Sequence, residues 1–260
     1  MLTKLLKHEL KATSRYLVPL FLILFLFSIL NRIVLSFDIF HGMFSFIPGF
    51  TMLGYVLSLV ALVVVTYVIL IIRFYKNLTS EEGYLMFTLP AKASQLINSK
   101  LLTSILWTVL SFFAILLSLF TLFLIEGDFN MISDAFQRGW QVITMEFGDK
   151  NVLFIIEVII LVILSIIDSI LIIYVSIAIG QLFNGRKLLA SFGAYIGIKI
   201  ALQVMYTIII AIITMSSPHF DDVTFLPTFL FPFVIIMQSV LNGIYYWVTN
   251  YLFANKLNLE

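Results

Sequence analysis

The sequence predicts an all-α integral membrane protein. It has six transmembrane helices, an N-terminal interfacial amphipathic helix and a long cytoplasmic loop between spans 2 and 3. Three observations carry this. Of 260 residues, 62% are hydrophobic and 11% charged, where soluble domains run at about 45–50% and about 25%. The apolar residues gather in runs long enough to cross a bilayer, which takes about 20 residues. Lysine and arginine fall mostly to one side of those runs. The net charge of +1 says little beside that distribution. With no cysteine in the chain, a disulfide framework, a Cys-ligated zinc site and a thiol nucleophile are all excluded. No basic patch carries interleaved aromatics, so no nucleic-acid partner is expected.

Residues 1–15 read as the interfacial helix. Lys4, Lys7, His8, Lys11 and Arg15 repeat on one helical face, and Leu2, Leu5, Leu6, Leu10 and Leu17 form the other. Such a helix lies in the headgroup plane with its cations towards anionic lipid. Plain positive flanking of the first span would give the charge but needs no such faces. The segment is too charged for a signal peptide, and no short apolar core with a small-residue cleavage site follows it.

The spans are expected at about 17–37, 46–72, 101–125, 152–183, 188–215 and 230–253. Pro19 falls near the start of the first, where proline does little harm. The fourth exceeds one bilayer crossing and so is expected to tilt or project. Tyr245, Tyr246, Trp247 and Tyr251 gather near the inner end of the sixth, as an interfacial aromatic belt would. Six spans place both termini on one side. That side holds Lys4, Lys7, Lys11, Arg15, Arg73, Lys76, Lys92, Lys100, Arg186, Lys187 and Lys256. The other has only Arg32, Arg138 and Lys150, with most of the acids. Both termini are therefore expected in the cytoplasm. The chain reads as one transmembrane domain over 1–260, with no internal repeat and no linker.

The outer loop at 126–150 is patterned. Phe129, Ile132, Phe136, Trp140, Ile143 and Phe147 recur at steps of three and four, which predicts an amphipathic helix with an aromatic face. It fits a helix lying over the span ends or on lipid, and also a gate over an exit path. The other outer loop, Ser216 to Thr228, reads as turn; Asp221 and Asp222 alone are a weak cation signal.

Three ionisable residues fall inside spans: Glu157, Asp168 and Lys199. A charge at mid-bilayer costs about 2.5–3.5 kcal/mol, so each should face protein or water. At about 100° per residue, Asp168 comes back nearly over Glu157, and Ser165, Ser169 and Ser176 extend that face. Asp168 and Lys199 lie at similar depth. An ion pair that sets how spans 4 and 5 pack is one reading; a role along a substrate or proton path is the other. In span 5, Gly193, Gly197 and Ala201 form a small-xxx-small run that allows close helix approach, within the chain or between subunits.

The loop 73–100 reads RFYKNLTSEEGYLMFTLPAKASQLINSK. Thr79 to Glu82 fits a capping box, Glu81 and Glu82 would meet the positive end of a helix dipole, and Gly83 would end or kink that short helix. Pro90 suits the first turn of a further helix running into span 3. Locally, a solvated connector accounts for this equally well. The residues Phe74-Tyr75-Lys76, Glu82-Gly83-Tyr84-Leu85, Thr88-Leu89-Pro90 and Ser99-Lys100-Leu101, however, resemble the loop between spans 2 and 3 of bacterial ABC-2-type permeases. Length, span count and the basic N-terminal helix resemble that family more loosely.

The resemblance implies a coupling helix at Thr79, Glu81, Glu82, Gly83, Tyr84 and Leu85 that contacts a separate ATPase subunit, with Pro90 setting the start of span 3. It further implies a bacterial plasma-membrane location and a second permease subunit, identical or similar, in contact with membrane lipid. Export, of a peptide, drug or lipid-like cargo, rests on the family alone. The chain contains no GxxxxGK[ST], so ATP and Mg would be bound by the partner, with no cofactor or metal in this chain. No HExxH or other catalytic constellation occurs, so an enzyme is not expected. The competing expectation is a non-transporting membrane scaffold or sensor that holds a cytoplasmic partner through the same loop.

Overall fold

The computed structural model describes residues 2–36, 46–79, 92–123, 129–183, 185–216 and 225–255. These residues are helical almost throughout, with no strand among them. The elements are α1 (Leu2–Ser36), α2 (Phe46–Thr79), α3 (Ala93–Phe123), α4 (Phe129–Phe147), a 3₁₀ turn (Gly148–Lys150), α5 (Asn151–Gly180), α6 (Lys187–Ser216), a wide π turn (Leu226–Leu230) and α7 (Phe231–Asn255). Six helical stretches are long and apolar enough to cross a membrane, as the hydropathy pattern anticipates. The chain is a multi-pass membrane protein by that measure.

One boundary differs from the sequence expectation. Residues 2–15 do not form a helix of their own: α1 runs unbroken from Leu2 to Ser36, through Pro19. Pro19 is exposed, so the carbonyl that loses its usual helical partner there borders the outer face rather than the core. The basic residues Lys4, Lys7, His8, Lys11 and Arg15 are all exposed, Leu2, Leu5, Leu6 and Leu10 are half-buried and Leu17 is buried, so the two faces exist on one continuous rod. At the other side of the long loop, α3 begins at Ala93, well before the apolar run, and its first turn bonds back to the Lys92 carbonyl (Gln95 N to Lys92 O, 2.8 Å). The expected outer amphipathic helix is present as α4. Phe136 and Trp140 of its aromatic face are exposed, while Phe147 is buried.

The chain divides into two compact units. The first comprises Met1–Arg73 and Asn98–Phe136. Leu24, Tyr55, Leu62 and Ala114 form its centre, with Leu20, Phe21, Phe25, Leu59 and Ile115 packed around them. Hydroxyl groups pin α1, α2 and α3 together. Ser28 donates to the Ser118 carbonyl at 2.9 Å and also bonds the Thr121 hydroxyl, and the Tyr55 and Ser118 hydroxyls lie 3.0 Å apart. In lipid the apolar drive between helices is absent, so such bonds and close packing set helix register.

The second unit comprises Phe74–Ile97 and Gln137–Glu260. Here α5 packs against both α6 and α7. Phe154 of α5 stacks on Phe147 at 4.0 Å and on Phe231 at 5.6 Å; further along, Asn242 Nδ2 donates to the Leu164 carbonyl at 3.2 Å. Beyond that, Phe74 stacks on Tyr174 at 3.6 Å and meets Phe253 edge-on at 5.7 Å. The contacts advance together along both helices, so α5 and α7 run parallel. The turn into α6 uses Gly185 at φ +103°, a conformation that favours glycine. Gly180 lets α6 approach closely: a methyl group there would lie 2.6 Å from the Ser191 backbone nitrogen.

Candidate functional site

The loop proposed to meet a partner lies mostly outside the described residues: Glu81, Glu82, Gly83, Tyr84, Leu85 and Pro90 are among those not described. Thr79 falls within α2, so it belongs to the span helix. What the first unit does define is how the two flanks of that loop are held. Arg73 stands near the end of α2 and Lys100 in the early turns of α3, and both reach one carboxylate, that of Glu9 in α1. Arg73 donates through Nε and Nη2 to Glu9 Oε2 at 3.2 and 3.0 Å, and Lys100 Nζ donates to Oε1 at 2.8 Å. The side chains of Glu9 and Lys100 are only 8% and 4% exposed, that of Arg73 23%. Charge-assisted bonds of this length are among the stronger polar contacts in proteins.

One turn further along α1 the clamp continues. Thr13 is buried; its hydroxyl donates to the Glu9 carbonyl at 2.8 Å and accepts from Trp107 Nε1 of α3 at 2.6 Å. Glu9, Thr13, Leu17, Leu24, Ser28 and Asn31 make one buried stripe down α1. The sequence reading sorted this segment into a basic face and a leucine face and overlooked Glu9. The signal was available: Glu9 is the only acid before Asp38, and it falls at the i, i+4 step that leads to Thr13 and Leu17.

The intramembrane ionisable residues lie in the second unit. Glu157 is buried in α5, and its Oε2 has no hydrogen-bond partner among the described residues. The hydroxyls of Ser165, Ser169 and Ser176 turn back onto carbonyls of their own helix, so the polar stripe on α5 consists chiefly of its two acids. Asp168 is half-buried and lies within electrostatic reach of Lys199 and Tyr206 on α6 and of Tyr245 on α7. Lys199 acts on the charge of Asp168, but no ion pair joins them among the described residues. Lys199 is exposed and its Nζ stands 6.0 Å from the centre of the Tyr195 ring. Tyr245 does not belong with the belt aromatics. It is 6% exposed and its hydroxyl has no hydrogen-bond partner among the described residues, whereas Trp247 and Tyr251 are exposed and stack on each other.

Gly193, Gly197 and Ala201 are exposed on α6, and a methyl group at either glycine would meet nothing within 4 Å. Within the described chain they do not serve the helix packing expected of them; the close approach is made by Gly180 instead. Among the described residues no group of three or more His, Cys, Asp or Glu is placed to hold a metal ion. Comparison of the chain with protein-family models, curated proteins and solved structures finds no match.

Proposed function

We propose that this chain is the membrane-spanning permease subunit of an ABC transporter of the ABC-2 type, working as an exporter with a separate ATPase subunit and a second permease subunit in a bacterial plasma membrane. The observation that carries the reading is the Glu9 clamp. Arg73 and Lys100 bracket the loop whose sequence resembles a coupling-helix loop, and one carboxylate of α1 binds them both. A push delivered to that loop by a cytoplasmic partner would be shared by α2, α3 and α1 together, because buried charge-assisted bonds resist being opened singly. Thr79, Glu81, Glu82, Gly83, Tyr84 and Leu85 make the partner contact in this reading. Nucleotide chemistry belongs to the partner, which supplies the P-loop that this chain lacks.

The test is co-purification from native membranes in mild detergent, comparing the wild type with a Glu82→Lys, Tyr84→Ala variant. A P-loop ATPase that accompanies the wild type and is lost from the variant supports the permease. An intact, folded protein that brings down no ATPase overturns it and leaves a non-transporting scaffold or sensor.

A further inference from the structure

The second unit contains a polar seat that nothing in the ATPase coupling uses. Asn242 and Tyr245 stand three residues apart on α7, so they share a face. They are 7% and 6% exposed. The Asn242 amide nitrogen is committed to the Leu164 carbonyl, one turn from Asp168 on α5, while Asn242 Oδ1 and Tyr245 Oη have no hydrogen-bond partner among the described residues. The Tyr245 hydroxyl lies in the field of Asp168 and of Tyr206. Buried polar atoms are nearly always partnered, so these two orphaned oxygens, one in the field of Asp168 and the other on a side chain anchored one turn from it, mark a place where a donor is missing.

We propose that Asp168, Asn242 and Tyr245 form a binding site for the ammonium group of an amphiphilic organic cation, which on the permease reading is part of the cargo. An ammonium group has three N–H donors, and the seat offers three acceptors: the carboxylate, Asn242 Oδ1 and Tyr245 Oη. A hard divalent ion fits poorly, because it needs about six oxygens and a single carboxylate would leave it half-neutralised in a medium of low dielectric. Leu164, Ile167, Ile170 and Leu171 lie within about one turn of Asp168, and the intervening Ser165 and Ser169 turn their hydroxyls onto carbonyls of their own helix, so most of the side chains that flank the seat in sequence match an alkyl tail. Lys199, the cation nearest in charge terms, is exposed near Tyr195 and makes no ion pair with Asp168. It is the built-in competitor for the same seat.

The experiment is calorimetric titration of hexylammonium chloride into the full chain in lipid nanodiscs, with empty discs subtracted and sodium chloride as a parallel titrant. Saturable hexylammonium binding is expected. Asp168→Asn weakens it roughly 10–100-fold and Tyr245→Phe roughly 3–10-fold, the range for charged and neutral hydrogen bonds. Asp168→Glu retains binding, and Lys199→Met tightens it. Equal binding by the wild type and Asp168→Asn overturns the site, as does saturable sodium binding without hexylammonium binding. If Asp168→Asn fails to fold, Tyr245→Phe decides by the same criterion. The readout involves no ATPase, so a failed co-purification leaves this site standing, and a failed titration leaves the permease standing.

Discussion

Glu9 shows how one side chain changes the reading of a whole segment. By composition residues 1–15 are a basic headgroup helix, yet the one acid among them turns inward and accepts from an arginine and a lysine. Removing one member of a buried ion cluster leaves the other charges desolvated, which costs about 3–5 kcal/mol. Glu9→Ala is therefore expected to lower the melting temperature of the detergent-purified protein sharply, and Glu9→Asp, which keeps the charge but shortens the reach, less so; equal melting of Glu9→Ala and wild type would remove the clamp from the account. The neighbouring contact is neutral and smaller. Thr13→Val deprives Trp107 Nε1 of its acceptor, and an unsatisfied buried donor costs about 1–3 kcal/mol. The loss should appear in thermal melts together with a change in tryptophan emission.

At the scale of elements, the contrast between glycines is the sharpest test. A Cβ at Gly180 would collide with the backbone of Ser191, whereas one at Gly193 or Gly197 meets nothing within 4 Å. Gly180→Ala must move α6 on α5 and is expected to destabilise by about 1–3 kcal/mol, the usual cost of overpacking. Gly193→Ala and Gly197→Ala should be neutral or slightly stabilising in the isolated chain, since alanine is preferred over glycine in a helix by about 1 kcal/mol. Melting temperatures of the three variants check the order. The sequence displays Gly193, Gly197 and Ala201 as a motif and Gly180 as a lone residue. Spacing reports what a helix could offer, not which neighbour takes it up, and here the neighbour takes up Gly180.

For the whole molecule, the distribution of lysine and arginine predicts that the termini and the 73–100 loop lie in the cytoplasm and α4 outside. The absence of cysteine makes this directly testable, because any introduced thiol is the only one. Lys92 and Gln141 are both exposed. Gln141→Cys should react with a membrane-impermeant maleimide on intact cells, and Lys92→Cys only after the membrane is opened. The reverse pattern would invert the topology and place the 73–100 loop beyond reach of any cytoplasmic ATPase.

The amino-acid sequence by itself determined the number of apolar helices, their approximate limits and the helical nature of the segment that forms α4. Those follow from length and periodicity, which are local properties of a chain that must satisfy its backbone without water. Only the tertiary structure decided that Glu9 gathers Arg73 and Lys100, that Tyr245 leaves the aromatic belt for a buried place in the field of Asp168, and that Lys199 stands by Tyr195 without pairing to that acid. Each of these depends on the rotation of one helix about its axis relative to another. That rotation is set by which bonds and close approaches the neighbours permit. No window of residues along a single helix contains it.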